Sequence, residues 1–439
     1  MSFELAIGLA SVFVMIGFIW MGLHVAVALA ATSFLGVWVM KGNADISAKL
    51  IGLAAKDSIS SYVFGVIPLF VLMGLFVERA GIGRDAFDVG EQAFRKLRGG
   101  LGVATVGANA IFAAITGVSI ASAAVFTKVA VPQMIDRGYN PRFAVGVVAG
   151  SSVLGMLIPP SLLLIIYGIL VEVSIGDLFI AGVLPGLLLA FLYAVGILVM
   201  ARATPDFVGN PREGADAEDP KFSGLDILRK MLPVVILIGA VFGGIYGGVF
   251  TPTEAGAVGA LGALIVALLR RSLDVKSFWR ILVETGHVTA SICILFVAAT
   301  MYSRMLALSG FPNAMGDWLT AAEFGFYGII LAYVLIVLVL GSILDSTSIM
   351  LIMVPLFAPP LLALGADLVW FGIVTIIAVE IGLLTPPLGI SAFVVKANLR
   401  DDRIGLKDIF IGAAPFALIM LVCLIAVIVF PWLSLGLIR

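Results

Sequence analysis

Stretches that are apolar almost without interruption recur from one end of this 439-residue chain to the other. Positions 331–340 and 417–429 belong to runs near the ~20 residues that cross a bilayer core as a helix. Such a chain has lipid as its solvent, and backbone N–H and C=O groups in hydrocarbon must be satisfied within the protein. Only helices or a closed barrel meet that demand. The period-two alternation and turn signals of a barrel are absent, so the chain reads as an all-α polytopic membrane protein. Charged residues make up 12% of it, about half the share of a soluble domain.

The remaining composition excludes several classes. A net charge of -1 supplies no basic field for nucleic acid. Cys293 and Cys423 both lie in apolar runs and read as small buried hydrophobes, so neither a disulfide framework nor a thiol metal site is expected. Glu4 precedes the first basic residue, Lys41, unlike a cleavable secretory signal, and the first helix is expected to remain in the mature protein. No phosphate-binding loop, HExxH or GxSxG motif is present, and His24 and His287 stand far apart. The chain is therefore expected to be no enzyme and to need no cofactor.

Spanning helices are expected at 4–20, 22–40, 59–78, 142–173, 178–201, 231–250, 254–270, 284–303, 368–398 and 409–431. Two apolar pairs, 101–135 and 327–364, each hold a polar tip and read as re-entrant hairpins that return to the side they left. Charge tests that choice. With the hairpins not crossing, 21 of 26 basic residues fall on one face, leaving Lys41, Lys49, Lys56, Arg304 and Arg439 on the other. The positive-inside rule makes the first face cytoplasmic and both termini periplasmic. Lys41, Lys49 and Lys56 are assigned to a short amphipathic helix at the interface.

A polar stretch, 202–230, rich in Pro and Gly, reads as a solvated cytoplasmic linker between two halves. Shifting by 227 positions sets GMLIPPSL from Gly155 on GLLTPPLG from Gly382. A shift of about 230 sets Asp177 and Pro185 on Asp408 and Pro415. The first copy covers 1–201, with scaffold helices in 1–98, a hairpin and interrupted helix in 99–173 and a last helix at 178–201. The second covers 231–439, with scaffold and arm at 231–325, a hairpin and interrupted helix at 326–398 and a last helix at 409–431. Five crossings per copy invert the second relative to the first, the plan of a secondary transporter with its site near the midplane.

Pro159–Pro160 and Pro386–Pro387 each remove amide donors inside an apolar helix and free carbonyls of the preceding turn. Such unwound backbone is tolerated where it lines a cavity or holds a cation, and oxygen donors suit sodium. A hydroxyl-rich tip precedes each break: TGVSIAS from Thr116 and LDSTS from Leu344. The first sodium site is expected from Thr116, Gly117, Ser119, Gly155, Ile158 and Pro160. The second is expected from Asp345, Ser346, Thr347, Gly382, Thr385 and Leu388, with Ile, Pro and Leu acting through their carbonyls. Ser119, Ser122, Pro159, Ser348 and Pro386 are the candidates for contact with solute. Glu380 is expected to hydrogen-bond amides freed by the second break, Asn109 to join two helices, and Gly256, Gly259 and Gly262 to let helices approach.

Five segments carry a family resemblance: PLFVLMGLFVERAG from Pro68, GGLGVATVGANAIFAAITG from Gly99, GSSVLGMLIPPSLLLIIYGIL from Gly150, VFTPTEAGAVGA from Val249 and EIGLLTPPLGISAFV from Glu380. Together the chain resembles the large M subunit of TRAP transporters, within a superfamily of elevator-type carriers. The resemblance implies a bacterial inner-membrane complex with a small four-helix Q subunit, fed by a periplasmic substrate-binding protein and importing an organic acid with sodium. It implies an elevator in which hairpins and interrupted helices carry the site across a scaffold, with sodium at the tips and breaks. The tips depart from the family's frequent SGSS and Glu-Pro-Thr patterns, reading TGVSIAS and Asp345-Ser346-Thr347 here. The nearest rival is a self-sufficient sodium/dicarboxylate symporter of the same superfamily; a channel or intramembrane enzyme is a third class.

Overall fold

The computed structural model describes residues 2–60, 62–209, 222–321, 325–399 and 401–438. The chain begins with α1 (Phe3–Trp20), α2 (Val25–Lys41), α3 (Ala44–Ser60), α4 (Val66–Arg79) and α5 (Ile82–Phe94). A hairpin of α6 (Gly100–Thr116) and α7 (Ser119–Asp136) follows, then α8 (Pro141–Ser152), α9 (Leu154–Leu157), α10 (Leu162–Val171) and α11 (Ile175–Ala203). After the single turn α12 (Pro205–Val208) come α13 (Gly224–Tyr246), α14 (Pro252–Leu269), α15 (Val275–Ser309) and α16 (Phe311–Ala321). A second hairpin, α17 (Gly325–Gly341) and α18 (Ser346–Ala363), precedes α19 (Leu368–Leu384), α20 (Ile390–Asn398), α21 (Leu406–Val429) and α22 (Trp432–Leu435). Eight of the described helical segments are long and apolar enough to cross a bilayer.

Local signals set the helix ends. Thr251 opens α14 with a capping box: its hydroxyl accepts from Glu254 N at 3.3 Å while the Glu254 carboxylate accepts from Thr251 N at 2.8 Å, with Pro252 in the first turn. The same device at Ser223 and Asp226 starts α13 at Gly224, earlier than the expected 231. The polar stretch 202–230 is thus helical at both ends, and its positions 210–221 lie outside the described residues, as do Arg400 and Arg439. Asp274 caps α15 by accepting from Ser277 N at 3.1 Å, so the helix expected at 284–303 runs the full 35 residues to Ser309. By contrast, α3 and α4 are separated by a 3-10 turn at Tyr62–Gly65.

Ring contacts hold each hairpin closed: Phe112 meets Phe126 edge-on at 5.7 Å, and Tyr333 meets Phe357 at 5.0 Å. The two ends of each hairpin also meet. Leu101 N donates to the Tyr139 hydroxyl at 3.4 Å, and Phe326 at the start of α17 stacks on Trp370 just beyond α18 at 5.7 Å. Asn109 bridges α6 to α8 by donating to Ser151 Oγ at 2.7 Å, the interhelical role expected of it. In α14, a Cβ on Gly256 would sit 3.1 Å from Leu69, and one on Gly259 would sit 2.3 Å from Met73 Sδ, so the glycines admit α4.

The path of α21 orients both interrupted helices. Arg142 at the start of α8 pairs with Asp408 at the start of α21 at 2.7 Å, and the glycine backbones at 146 and 412 touch farther along. Trp370 near the start of α19 instead donates to Val427 O, near the end of α21, at 2.9 Å. Hence α8 and α19 run in opposite senses, and the two hairpins enter from opposite ends of the bundle. Ion pairs between distant residues join groups that the charge pattern places on one face. Arg79–Asp274 at 3.7 Å and Lys230–Asp85 at 3.1 Å lie at one end; Lys41–Glu4 at 2.8 Å and Arg304–Asp57 at 2.5 Å lie at the other.

The α8–α21 contact is testable. A Cβ on Gly146 would lie 2.1 Å from Gly412 O, whereas one on Gly239 would meet nothing within 4 Å. Gly146→Val is expected to lower stability by about 1–3 kcal/mol through overpacking, seen as a lower melting temperature in detergent, while Gly239→Ala leaves melting near that of the parent. Equal melting of Gly146→Val and the parent would contradict the contact.

Candidate functional site

The first hairpin turns where Gly117 takes φ +65, a left-handed conformation that ends α6 and suits glycine. Thr116, just before it, donates its hydroxyl to Phe112 O at 2.9 Å, and Ser119 opens α7 after an extended Val118. The break facing this tip begins at Ile158, whose extended backbone ends α9, and passes through a cis Pro159–Pro160 bond. Ser161 then restarts the helix by accepting from Leu164 N at 3.3 Å and donating to Met156 O. Tip and break are joined by a backbone bond from Leu162 N to Gly117 O at 3.1 Å. The fit leaves no room for a side chain: a Cβ on Gly117 would lie 2.3 Å from Pro160 O, and one on Gly155 would lie 3.0 Å from Ser119 N. The side chains of Ile158 and Pro159 pack toward Gly186 and Gly182 of α11. All the residues expected at the first site are buried.

The second junction uses the same parts. Thr385, extended at the end of α19, donates its hydroxyl to Gly382 O at 2.8 Å before a cis Pro386–Pro387 bond, and Gly389 restarts the helix at φ +54. Leu388 N and Gly389 N donate to Ser342 O at 3.0 and 3.4 Å, the counterpart of the Leu162–Gly117 bond. A Cβ on Gly382 would lie 2.5 Å from Gly341 Cα, so α17 and α19 touch through bare backbone. Asp345 is exposed and caps α18: its carboxylate accepts from Ser348 N at 3.1 Å and from the Ser348 hydroxyl. Ser346 and Ser348 are buried, Thr347 and Thr385 half-buried, and Pro386, Pro387 and Leu388 exposed. The first junction is therefore enclosed and the second partly open.

Glu380 departs from the expectation that it would serve amides freed by the break. Its Oε1 accepts from the Ser346 hydroxyl at 3.1 Å, which ties α19 to the start of α18. Glu380 Oε2, Ser122 Oγ and Asn109 Oδ1 are buried oxygens without a hydrogen-bond partner. Residue spacing could not reveal the Glu380 link, because Ser346 lies 34 positions away on another helix and only tertiary packing brings the two together. Ser161 and Ser342 also escaped the sequence reading. Ser161 had a signal, a serine following Pro-Pro in the N-cap position; Ser342 acts through its carbonyl and had none.

Chemically, the junctions concentrate hydroxyl and carbonyl oxygens, helix ends and one carboxylate. Among the described residues no group of three or more His, Cys, Asp or Glu could hold a metal. The hydroxyl and carbonyl oxygens at both junctions are hard donors, of the kind that suit hard cations.

The described fold and junctions agree with what similarity shows. Residues 12–433 match the family model described as "Tripartite ATP-independent periplasmic transporter, DctM component". The chain is 33% identical over 392 residues to the C4-dicarboxylate TRAP transporter large permease protein DctM of Pseudomonas aeruginosa, covering 89% of this chain and 90% of that one. It is 30% identical over 430 residues to the sialic acid TRAP transporter large permease protein SiaM of Vibrio cholerae, covering 97% of each. The solved YdaH transporter of Alcanivorax borkumensis shares the fold, with a TM-score of 0.64 over 90% of each chain at 14% identity. Paired helix breaks, each closed by a hairpin tip, in a chain that matches this family nearly end to end lead to one conclusion: the protein belongs to the DctM component family of tripartite ATP-independent periplasmic transporters.

Proposed function

We propose that this permease imports an organic acid with sodium, receiving it from a periplasmic binding protein and working with a small four-helix Q subunit in a bacterial inner membrane. The observation that carries the reading is the duplicated junction: at each, a Pro-Pro break and a hydroxyl-bearing tip meet through a backbone hydrogen bond, at 3.1 and 3.0 Å. Thr116, Ser119 and the carbonyls around Ile158 and Pro160 would hold one sodium ion, and Ser346, Thr385 and the carbonyls of Gly382 and Leu388 a second. The solute would lie between the tips, beside Ser122, Ser348, Pro159 and Pro386, where two helix N-termini favour a carboxylate. Relatives named for C4-dicarboxylate and for sialic acid support the solute class.

The two sets of elements read as inverted copies, and opposite senses of α8 and α19 favour that reading. Inverted copies allow one site to face either side in turn. The hairpins and interrupted helices would move as an elevator against the scaffold of α1 to α5 and α13 to α16. Asp345 would serve the second site indirectly, by capping the helix that presents Ser346.

Uptake by proteoliposomes holding this chain and its Q subunit is expected only with an inward sodium gradient and a loaded binding protein. Uptake that needs sodium but no binding protein would favour the self-sufficient symporter. Loss of one oxygen ligand of ~1 kcal/mol corresponds to about a fivefold change in affinity, so Thr385→Ala should raise the sodium concentration for half-maximal uptake by about that factor. Unchanged sodium affinity in that variant argues against the second site. For sidedness, alkaline phosphatase fused at either terminus is expected to be active in intact cells and inactive when inserted within 210–221; the opposite pattern would invert the topology.

A further inference from the structure

Neither hairpin tip and neither break carries a basic side chain, and no Lys or Arg occurs at 100–127, 143–201 or 305–395. A carboxylate lying between the tips therefore has helix starts and hydroxyls to receive it, and no guanidinium or ammonium. Four helices, α7, α10, α18 and α20, begin at the two junctions, and their first turns are not equally free. Asp345 caps α18, accepting from Ser348 N at 3.1 Å and from the Ser348 hydroxyl, so a carboxylate of the protein already fills the place an anion would take. Glu380 brings a second carboxyl group to the same turn through Ser346 at 3.1 Å. Ser161 caps α10 by accepting from Leu164 N at 3.3 Å. At the start of α20, Leu388 N and Gly389 N donate to Ser342 O, and a Cβ on Gly389 would lie 2.5 Å from the Phe410 ring.

The start of α7 differs from the other three. No side chain caps it, and the first backbone bond into the helix runs from Ser122 N to Val118 O at 3.3 Å. The amides of Ser119, Ile120 and Ala121 precede that bond and have no intrahelical partner. Ser122, one turn along on the same face as Ser119, is fully buried, and its hydroxyl has no hydrogen-bond partner. Such a hydroxyl costs free energy until an acceptor reaches it. The shift of 227 that aligns the two breaks sets Asp345 on Val118, so the tips differ at the residue that fills or leaves open the helix start.

We infer that the solute carries a single carboxylate, held by the first-turn amides of α7 and the Ser122 hydroxyl, and that Asp345 excludes a second carboxylate at the other tip. The inference rests on the organic-acid reading above and narrows it to monocarboxylates whose far end is neutral or cationic. A dicarboxylate laid between the tips would bring its second negative charge toward Asp345, with no basic residue there to offset it. An amide, hydroxyl or ammonium group at that end would instead donate to the exposed Asp345 carboxylate.

Succinamate and succinate separate these cases, because they differ only in whether the second end is a carboxamide or a carboxylate. The chain with its Q subunit, held in lipid nanodiscs in sodium buffer at neutral pH, is titrated with each radiolabelled anion in a scintillation proximity assay. The parent should bind succinamate at least about tenfold more tightly than succinate. Asp345→Asn keeps a capping oxygen and removes the charge, and should shift the affinity ratio toward succinate by about tenfold. The ratio in the parent carries the test if that variant does not fold. Ser122→Ala should weaken succinamate by about tenfold, the loss of one hydrogen bond to a charged group, without lowering the melting temperature, because the hydroxyl has no partner to lose. Unchanged succinamate affinity in Ser122→Ala rejects α7 as the place of the carboxylate. Equal binding of both anions by the parent, or tighter binding of succinate, overturns the inference and leaves the organic-acid reading standing. Binding of neither overturns both.

Discussion

Backbone amides and carbonyls have no water to turn to inside a bilayer, and most features of this protein follow from how it satisfies them where proline interrupts a helix. At both interruptions the answer is a hairpin tip that comes to the break: Gly117 O receives Leu162 N, and Ser342 O receives Leu388 N and Gly389 N. That solution demands close backbone approach, which accounts for bare glycine at 117, 155, 341 and 382, where a Cβ would lie 3.0 Å or less from neighbouring atoms. It also accounts for where the hairpins turn. Their tips are fixed on the breaks of neighbouring helices, while their bases are tied by Tyr139 in one half and by the Phe326–Trp370 stack in the other. The need to satisfy the backbone thus gathers hydroxyl and carbonyl oxygens and helix ends at the same two places.

The two junctions are alike in bonding and unlike in setting. The first is enclosed by α11, with Gly182 and Gly186 admitting Pro159 and Ile158. The second leaves Pro386, Pro387 and Leu388 exposed. Relatives at 33% and 30% identity carry names with different solutes, C4-dicarboxylate and sialic acid.

Much of this was legible in the residues. Pro-Pro pairs in matched positions marked the breaks, and polar clusters marked the tips. Ion pairs such as Arg304–Asp57 and Arg142–Asp408 then joined residues at a common end of the bundle. Helix ends were less legible where a cap lay inside a polar stretch: Ser223 and Asp226 begin α13 within what read as linker, and Asp274 extends α15. Asp345 was readable as a polar tip residue but not as a cap, because its partner Ser348 had been assigned to the solute. The place of Glu380 was hidden for a different reason. Spacing along one segment reveals neighbours on that segment, and the Ser346 hydroxyl that Glu380 accepts belongs to a hairpin that only tertiary packing brings to α19.

The most direct measurement of the central claim is an experimental density map of the protein in lipid, recorded once in sodium and once in a large organic cation. Two discrete peaks in sodium alone, one between Thr116 and the 155–160 break and one between Ser346 and the 382–388 break, are the predicted result. Unbroken helix through both Pro-Pro pairs, turned toward lipid and away from the hairpin tips, would contradict it.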